Sequence, residues 1–238
     1  MKADWLIVGA GYTGCVLAER IATQLGGKVL MTDLRDHIGG NAYDYFDGHG
    51  ILIHQYGPHI FHTNSKKIWD YLSQFTEWLP YEHHVLAVVE KKKVPVPFNI
   101  NSLNQVYPKT LSLKLERLLL DRYEYGEKIH ILKLLQNPHK ELRKLGEYIY
   151  DNILYGYTVK QWELKPEEID PSVTGRVPFF VSRDNRYFQD LYQAMPKNGY
   201  TRMFEKMIHH PNITVILKKD FKEIVSEIKF NRMIYTGP

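Results

Sequence analysis

Cys15 is the only cysteine among 238 residues, so no disulfide can form within the chain and packing must hold the fold. Such usage goes with a reducing, cytoplasmic setting, which is the expectation here. No apolar run reaches the ~20 residues that a membrane-spanning helix needs. The first residues lead straight into a strand-like segment, without the basic and then apolar succession of a secretory signal. Internal repeats and low-complexity linkers are absent. Lysines and arginines form no stripe interleaved with aromatics, which argues against nucleic acid. The run Lys91–Lys93 lies between two strand-like segments and reads as a solvated hairpin turn. No Ser-His-Asp set or carboxylate pair stands out. His59 and His62 lack a nearby cysteine or a suitably spaced third ligand, so no metal site is expected. What remains is a chain of one large or two modest domains. Its formal net charge of +4 suits an anionic ligand.

The strongest positive signal is I-V-G-A-G-Y-T-G at Ile7–Gly14, with Gly9, Gly11 and Gly14 in a G-x-G-x-x-G frame. An apolar strand (Trp5–Val8) precedes it, a helix (Thr13–Leu25) follows, and Asp33 ends the next strand (Lys28–Thr32). That acid lies where a ribose hydroxyl is usually gripped. The glycines make the tight turn, admit a pyrophosphate to the backbone and let helix pack on strand. Tyr12 and Thr13 fall inside the same loop. A Gly-rich turn of an ordinary βαβ unit is the bland alternative; strand, helix and acid together speak against it. A second glycine pair, Gly39-Gly40, follows in R-D-H-I-G-G-N. Simple nicotinamide enzymes do not need it, whereas many FAD proteins of the glutathione-reductase and amine-oxidase type have such a segment. Arg35, Gly39, Gly40 and Asn41 sit where a long dinucleotide would run past its pyrophosphate, so FAD is favoured over NAD. Cys15, just after Gly14, reads as a small packing residue rather than a nucleophile.

The remaining pattern predicts a hairpin around Tyr43–Ile53, punctuated by Asp47-Gly48 and Gly50. It continues with a short helix over Ser65–Phe75 (Ile68, Leu72 and Phe75 on one face) and strands at Tyr81–Val89 and Lys92–Val96. From Ser102 to about Tyr155 the period is helical. Its stripes are Leu111, Leu115, Leu118 and Leu119; then Ile129, Leu132 and Leu135; then Leu142, Leu145 and Ile149, with Pro138 opening the last. Asp170–Asn185 reads as a polar loop, Tyr200–His209 as a helix, and Ile213–Leu217 and Met233–Tyr235 as strands. The expected fold is α/β: a Rossmann-like FAD-binding domain with an inserted helical domain and a mixed β-sheet region. The stop at Y-T-G-P leaves the C-terminal portion of such a fold missing. The expected divisions are residues 1–76 (cofactor domain), 77–101 (sheet strands at a cleft), 102–165 (inserted helices), 166–199 (mobile loop and cleft) and 200–238 (return to the cofactor domain).

Three further segments combine aromatic and polar groups in ways that suit a nucleotide. Q-Y-G-P-H-I-F-H at Gln55–His62 sets Gly57, Pro58, His59 and Ile60 against a flat ring, unless it is an aromatic core strand with incidental histidines. G-Y-T-V-K-Q-W at Gly156–Trp162 offers Tyr157 and Trp162 for stacking and Thr158 for a phosphate or ribose, unless it is helix-end packing. V-T-G-R-V-P at Val173–Pro178 carries Arg176 between glycine and proline, the setting of a phosphate clamp; the alternative is an exposed surface arginine.

Together with H-I-G-G-N-A-Y (His37–Tyr43), Y-G-P-H-I-F-H-T-N (Tyr56–Asn64), P-F-N (Pro97–Asn99), N-R-Y-F (Asn185–Phe188), M-P-K-N-G-Y-T (Met195–Thr201) and Y-T-G-P, these segments resemble the bacterial UDP-galactopyranose mutases, along essentially the whole chain. The resemblance implies an isomerase that interconverts UDP-galactopyranose and UDP-galactofuranose through a covalent adduct of the sugar with N5 of reduced FAD, supplying galactofuranose to cell-surface glycans. It implies a uridine pocket lined by Tyr157 and Trp162, diphosphate contacts from Thr158 and Tyr187, and Arg176 closing over the diphosphate. Phe98 and Asn99 would line the same cleft, His59 would lie by the reactive edge of the flavin, Phe221 near adenine, and Thr236-Gly237 near the pyrophosphate. A homodimer is also implied.

Three departures weaken parts of this. Ile153-Leu154 stand where an aromatic pair is usual, Glu163 stands where glycine is common, and members continue well past T-G-P. Weak FAD retention and little activity are therefore expected of this chain alone. Rival readings are an amine-oxidase-type FAD oxidoreductase, a flavin-free Rab-escort or dissociation-inhibitor type of protein, and a non-catalytic fragment. Asp33 and Arg176 argue against the flavin-free reading.

Overall fold

The computed structural model describes residues 2–170 and 177–237. The chain forms two units, Met1–Tyr81 with Asp190–Pro238, and Glu82–Gln189.

The first unit is built on a four-stranded parallel sheet in the order Ile213–Ile216, Val29–Thr32, Trp5–Val8, Arg232–Tyr235. Parallel strands covered on both faces need continuous apolar sequence, and V-L-M-T at Val29–Thr32 is buried throughout. One face packs on the helices Tyr12–Gln24 and Tyr200–Ile208 through Ile7, Cys15, Ala18, Met31, Met203 and Phe204. The other face packs on a smaller cluster that includes Leu6, Val8, Leu30, Ile224 and Ile228. A three-stranded antiparallel sheet sets Tyr192–Pro196 between Phe61–Thr63 and Trp78–Pro80, and a hairpin joins Asp44–Phe46 to Leu52–His54. The helix after the second glycine segment runs Lys66–Leu72, capped by the Ser65 side chain. It buries Leu72 but leaves Ile68 exposed, so the expected Ile68–Leu72–Phe75 face is narrower than its periodicity indicated.

The hairpin and the helix Tyr200–Ile208 are tied by one carboxylate. Asp44, 2% exposed, accepts the Tyr200 N–H (2.7 Å) and the Thr201 N–H (2.8 Å), and the Thr201 hydroxyl donates to its carbonyl (2.7 Å). Asp44 thus caps a helix 156 residues further along the chain. Gly199 leaves it room: φ is +86°, and a Cβ there would come 2.8 Å from both carboxylate oxygens. Neither feature announces itself in the sequence.

The second unit has one core, running from Val89 and Val94 through Phe98, Leu103, Leu115, Ile131, Leu142 and Ile149 to Phe179. The expected long strand Tyr81–Val89 is two pieces, Trp78–Pro80 and Val85–Val89; the latter forms a hairpin with Lys92–Val96. Its turn residues Glu90 and Lys91 both have positive φ, as a two-residue type I′ turn requires.

Three further expectations are corrected. Ile129 lies in a strand, Lys128–Ile129, paired with Phe179–Phe180, and the helix that follows, Ile131–Leu135, buries Ile131 and Leu134 rather than Leu132 and Leu135. The His130 imidazole accepts the Leu132 N–H and starts that helix one step out of the expected phase. Pro138 does not open the next helix, Lys140–Ile149, because Asn137 accepts the His139 N–H (2.9 Å) and holds the proline in a turn ahead of it. Asp170–Asn185 is not uniformly a polar loop, since Val177, Phe179, Phe180, Val181 and Ser182 are buried. The strand Phe179–Phe180 also pairs with Phe98–Asn99. Helix packing is close at Gly146, where a Cβ would come 2.8 Å from the Leu134 backbone.

Asp44→Ala should lower stability by about 1–3 kcal/mol, the cost of leaving two buried helix N–H groups unpaired. Gly199→Ala should be similarly harmful, through clash and positive φ. Glu163, in contrast, sits at φ +56° just past the helix Tyr155–Trp162. Glu163→Gly should therefore raise stability by about 0.5–1 kcal/mol. Urea midpoints of the three variants check these signs.

Candidate functional site

Trp5–Val8 delivers the glycine loop to the amino end of the helix Tyr12–Gln24. The turn is too tight for any other residue. At Gly9 (φ +106°) a Cβ would lie 2.4 Å from the Thr236 Oγ1, and at Gly14 it would lie 1.9 Å from the Gly9 carbonyl oxygen. Gly11 and Gly40 meet backbone to backbone: a Cβ on Gly40 would stand 3.0 Å from the Gly11 Cα. The Gly39 N–H donates to the Ala10 carbonyl at 2.8 Å. The two glycine segments, read separately in the sequence, therefore form one concave backbone surface.

That surface faces a helix end without a cap. Gly11 precedes the helix, its first turn holds no acid, and among the described residues no side chain caps its first N–H groups. Unpaired amides and the helix dipole favour an anion there. Asp33 bridges the loops: one carboxylate oxygen accepts the Ala10 N–H (2.7 Å), the other the Arg35 N–H (2.9 Å). Each oxygen keeps lone-pair capacity for a hydroxyl donor. The Arg35 guanidinium lies 4.4 Å over the Tyr56 ring and donates to the Asn41 Oδ1 at 2.9 Å. Its Nη1 is buried without a hydrogen-bond partner among the described residues, a donor that a phosphate oxygen would satisfy. His37 bonds to the Tyr56 hydroxyl (2.8 Å) and stacks on Tyr43 at 3.8 Å. The Thr236 hydroxyl donates to the Val8 carbonyl at 2.9 Å, so Thr236-Gly237 closes against Gly9. Phe221 packs edge-on to Tyr235 (5.5 Å), on the side of the sheet that carries Leu6 and Val8.

Tyr12 and His59 both approach the buried Tyr200 ring, at 6.1 and 6.5 Å. Burial, with Tyr200 and Asp44 nearby, raises the Tyr12 phenol well above its ordinary value, so it stays protonated. The His59 Nδ1 bonds to the Gly57 carbonyl (3.1 Å). Gly57 has open space around it at φ +94°, and Pro58 and Ile60 lie in the irregular segment that follows it. The Cys15 thiol is wholly buried and donates to the Ala10 carbonyl. Burial pushes its pKa up to about 12, against the opposing hydrogen bond from the Gly39 backbone.

The residues expected at the substrate lie in the second unit and divide into two groups. Tyr157 and Trp162 are each 48% exposed on the helix Tyr155–Trp162, and Thr158 is buried at 3%. Five positions separate Tyr157 from Trp162, which turns their side chains about 140° apart. Tyr155, seven positions from Trp162, shares its face and is also exposed; it escaped the sequence reading because it lies just outside the G-Y-T motif. Tyr187 packs edge-on to Phe188 (4.9 Å) and borders the core.

Phe98 and Asn99, expected in the cleft, are core residues at 1% and 0% exposure. The Asn99 amide donates to the Asp184 carbonyl and the Asn185 Oδ1 (3.0 Å each), and its Oδ1 caps the helix Ile100–Val106 through the Ser102 N–H. Its polar atoms are thus committed to the fold. Ile153 and Leu154 are also buried, on a π-helical turn, and line that core rather than a pocket wall. Arg176 and the rest of Val173–Arg176 lie outside the described residues.

This geometry defines a Rossmann-like dinucleotide-binding protein, and an NAD(P)-binding Rossmann-like domain family matches residues 7–75. The UDP-galactopyranose mutase family model matches residues 152–238. Over 98% of its length the chain is 38% identical to a Klebsiella pneumoniae protein described as "Probable UDP-galactopyranose mutase", covering 60% of that protein. Over the same share it is 33% identical to a dTDP-fucopyranose mutase of Escherichia coli, covering 62%. The chain is thus similar to UDP-galactopyranose mutases along nearly all of its length. It spans about three fifths of the length of these curated relatives. A solved reduced UDP-galactopyranose mutase shares the fold at TM-score 0.57, with 20% identity over 90% of this chain and 48% of that one. Among the described residues, no helix is long and apolar enough to cross a membrane.

Because the Cys15 thiol is held protonated and buried, native protein at pH 8 should resist iodoacetamide for hours and react fully once unfolded in guanidinium. Mass spectrometry reads both states; rapid native alkylation would contradict the burial.

Proposed function

We propose that this chain carries the flavin site and part of the nucleotide-sugar site of a mutase that interconverts UDP-galactopyranose and UDP-galactofuranose. FAD is the cofactor, reduced for turnover. One observation carries the reading: two glycine segments close on one uncapped helix end, in a chain that aligns with mutases over 98% of its length. When bound, reduced flavin would supply the nucleophile for exchange at the sugar's anomeric carbon, while the protein supplies placement and phosphate electrostatics. Product of this kind feeds galactofuranose into cell-surface glycans, and the enzyme works in the cytoplasm.

The chain's own groups do the holding. The amides at Gly11–Thr13 and the free Arg35 Nη1 take the pyrophosphate, and Asp33 takes the adenosine ribose. Thr236-Gly237 borders the pyrophosphate, and Phe221 the adenine. Gly39, Gly40 and Asn41 line the path of the flavin arm, Tyr12 remains a neutral donor, and His59 with Gly57, Pro58 and Ile60 borders the ring. Trp162 stacks on the base, with Tyr157 as a second contact. Thr158, Tyr187 and Arg176 act at the diphosphate, Arg176 as the closing clamp. Phe98 and Asn99 act only indirectly, by supporting the unit that carries Tyr187. Similarity to the Escherichia coli protein favours one second reading, a dTDP-sugar as substrate on the same site.

FAD titrated into the chain should bind weakly, with a change in flavin fluorescence, and Gly9→Val should abolish binding. Equal binding by wild type and Gly9→Val, or none by either, would defeat the flavin assignment. UDP should quench tryptophan fluorescence, and Trp162→Ala should weaken UDP by about 5- to 100-fold, the range for loss of one base-stacking contact. Titration with dTDP decides between the two nucleotides. Flavin reduction by an amine, with oxygen consumed, would instead favour the oxidase reading.

A further inference from the structure

Arg35 is held on three sides. Its own N–H donates to the Asp33 Oδ1 at 2.9 Å, its Nη2 donates to the Asn41 Oδ1 at 2.9 Å, and its guanidinium lies 4.4 Å over the Tyr56 ring. An arginine side chain left to itself samples many rotamers, and each contact removes some of them. The bond to Asn41 fixes one edge of the planar group and the Tyr56 ring fixes its face. A flat cation bonded at one edge and laid on a ring has little freedom left.

Tyr56 is braced in its turn. Its hydroxyl bonds to the His37 Nε2 at 2.8 Å, and the two rings meet at 5.6 Å. The His37 Nδ1 lies 3.0 Å from the Ile38 carbonyl, which can only accept, so Nδ1 carries a proton. In the neutral imidazole Nε2 is then the acceptor, and the Tyr56 hydroxyl is the donor. A phenol that donates gains electron density on its ring, and that density is what draws a guanidinium to the ring face. His37 itself stacks on Tyr43 at 3.8 Å, within 17° of parallel. Tyr43, His37, Tyr56 and Arg35 thus form one continuous run of contacts. Tyr56 is 45% exposed, so its loss empties no core. What its loss removes is the wall on which Arg35 lies.

We infer that, at the flavin site proposed above, Tyr56 is the positioning residue for Arg35. Its ring, braced by His37, presents the guanidinium to the pyrophosphate, and its contribution to cofactor affinity runs through that one cation. The phosphate end of the site is therefore set by a residue one position before Gly57, in the segment that borders the flavin ring.

The test compares two ligands on the intact chain: FAD, followed by flavin fluorescence, and ADP-ribose, which has the pyrophosphate without the flavin, followed by calorimetry. Tyr56→Leu should weaken both alike, by about 2- to 30-fold, the range for one cation–π contact. Tyr56→Phe and Tyr56→Trp keep a ring face and should recover most of that loss. Once Arg35→Met has removed the guanidinium, adding Tyr56→Leu should cost nothing further, whereas a general structural role would make the two losses multiply. Wild-type affinity in Tyr56→Leu, a loss confined to FAD, no recovery by either ring variant, or losses that multiply in the double variant would each overturn the role of Tyr56 and leave the flavin site standing. Wild type that binds neither ligand would sink both. If the urea midpoint shows that Tyr56→Leu does not fold, Arg35→Lys decides the matter. It keeps the charge but has no planar face to lay on the ring. It should lose affinity for both ligands, and undiminished binding would overturn the inference.

Discussion

Everything at the cofactor end hangs on one close approach. With only 1.9 Å between the Gly9 carbonyl oxygen and the place a Gly14 Cβ would occupy, the strand must turn into the helix at once. That turn points the helix amides outward, and the resulting gap is what Gly40 enters to touch Gly11. Asp33 then locks the two walls by accepting one N–H from each side, Ala10 and Arg35. The site is largely backbone. That explains why the loop tolerates so little change and why so few charged side chains are needed: a helix end and one arginine supply the positive field.

A second constraint works at longer range. Asp44 belongs to a hairpin near the start of the chain, yet it caps a helix that begins at Tyr200. The same helix packs Phe204 against Tyr12 in the glycine loop (4.6 Å), and its first residue, Tyr200, faces both Tyr12 and His59. One carboxylate thus sets the floor on which the loop residues rest. In the second unit Asn99 plays a comparable part, spending all its polar capacity on a helix start and on the Asp184–Asn185 segment. A motif residue can therefore be indispensable to a site without touching what binds there.

The dinucleotide loop was legible in the sequence for a physical reason. Its chemistry depends on residues adjacent in the chain, and glycine spacing reports backbone geometry directly. The strand and helix bounds around it needed adjustment by only one residue. The failures share a different cause. Ile129 took a strand because Phe179–Phe180 lay beside it, and Phe179–Phe180 were read as loop because a two-residue core strand has no period to detect. Phe98 and Asn99 looked like cleft residues because aromatic and amide side chains suit both a ligand and a core, and only burial separates the two.

By itself the sequence determined the parallel βαβ start, the tight glycine turn at the head of its helix and the absence of any disulfide framework, since each rests on local spacing or composition. Tertiary structure alone decided that the two glycine pairs touch, that Asp44 and Asn99 serve the fold, and that Tyr155 shares a face with Trp162. Each of these is a contact between segments far apart in the chain, or a side-chain direction set by packing, and neither leaves a trace in neighbouring residues.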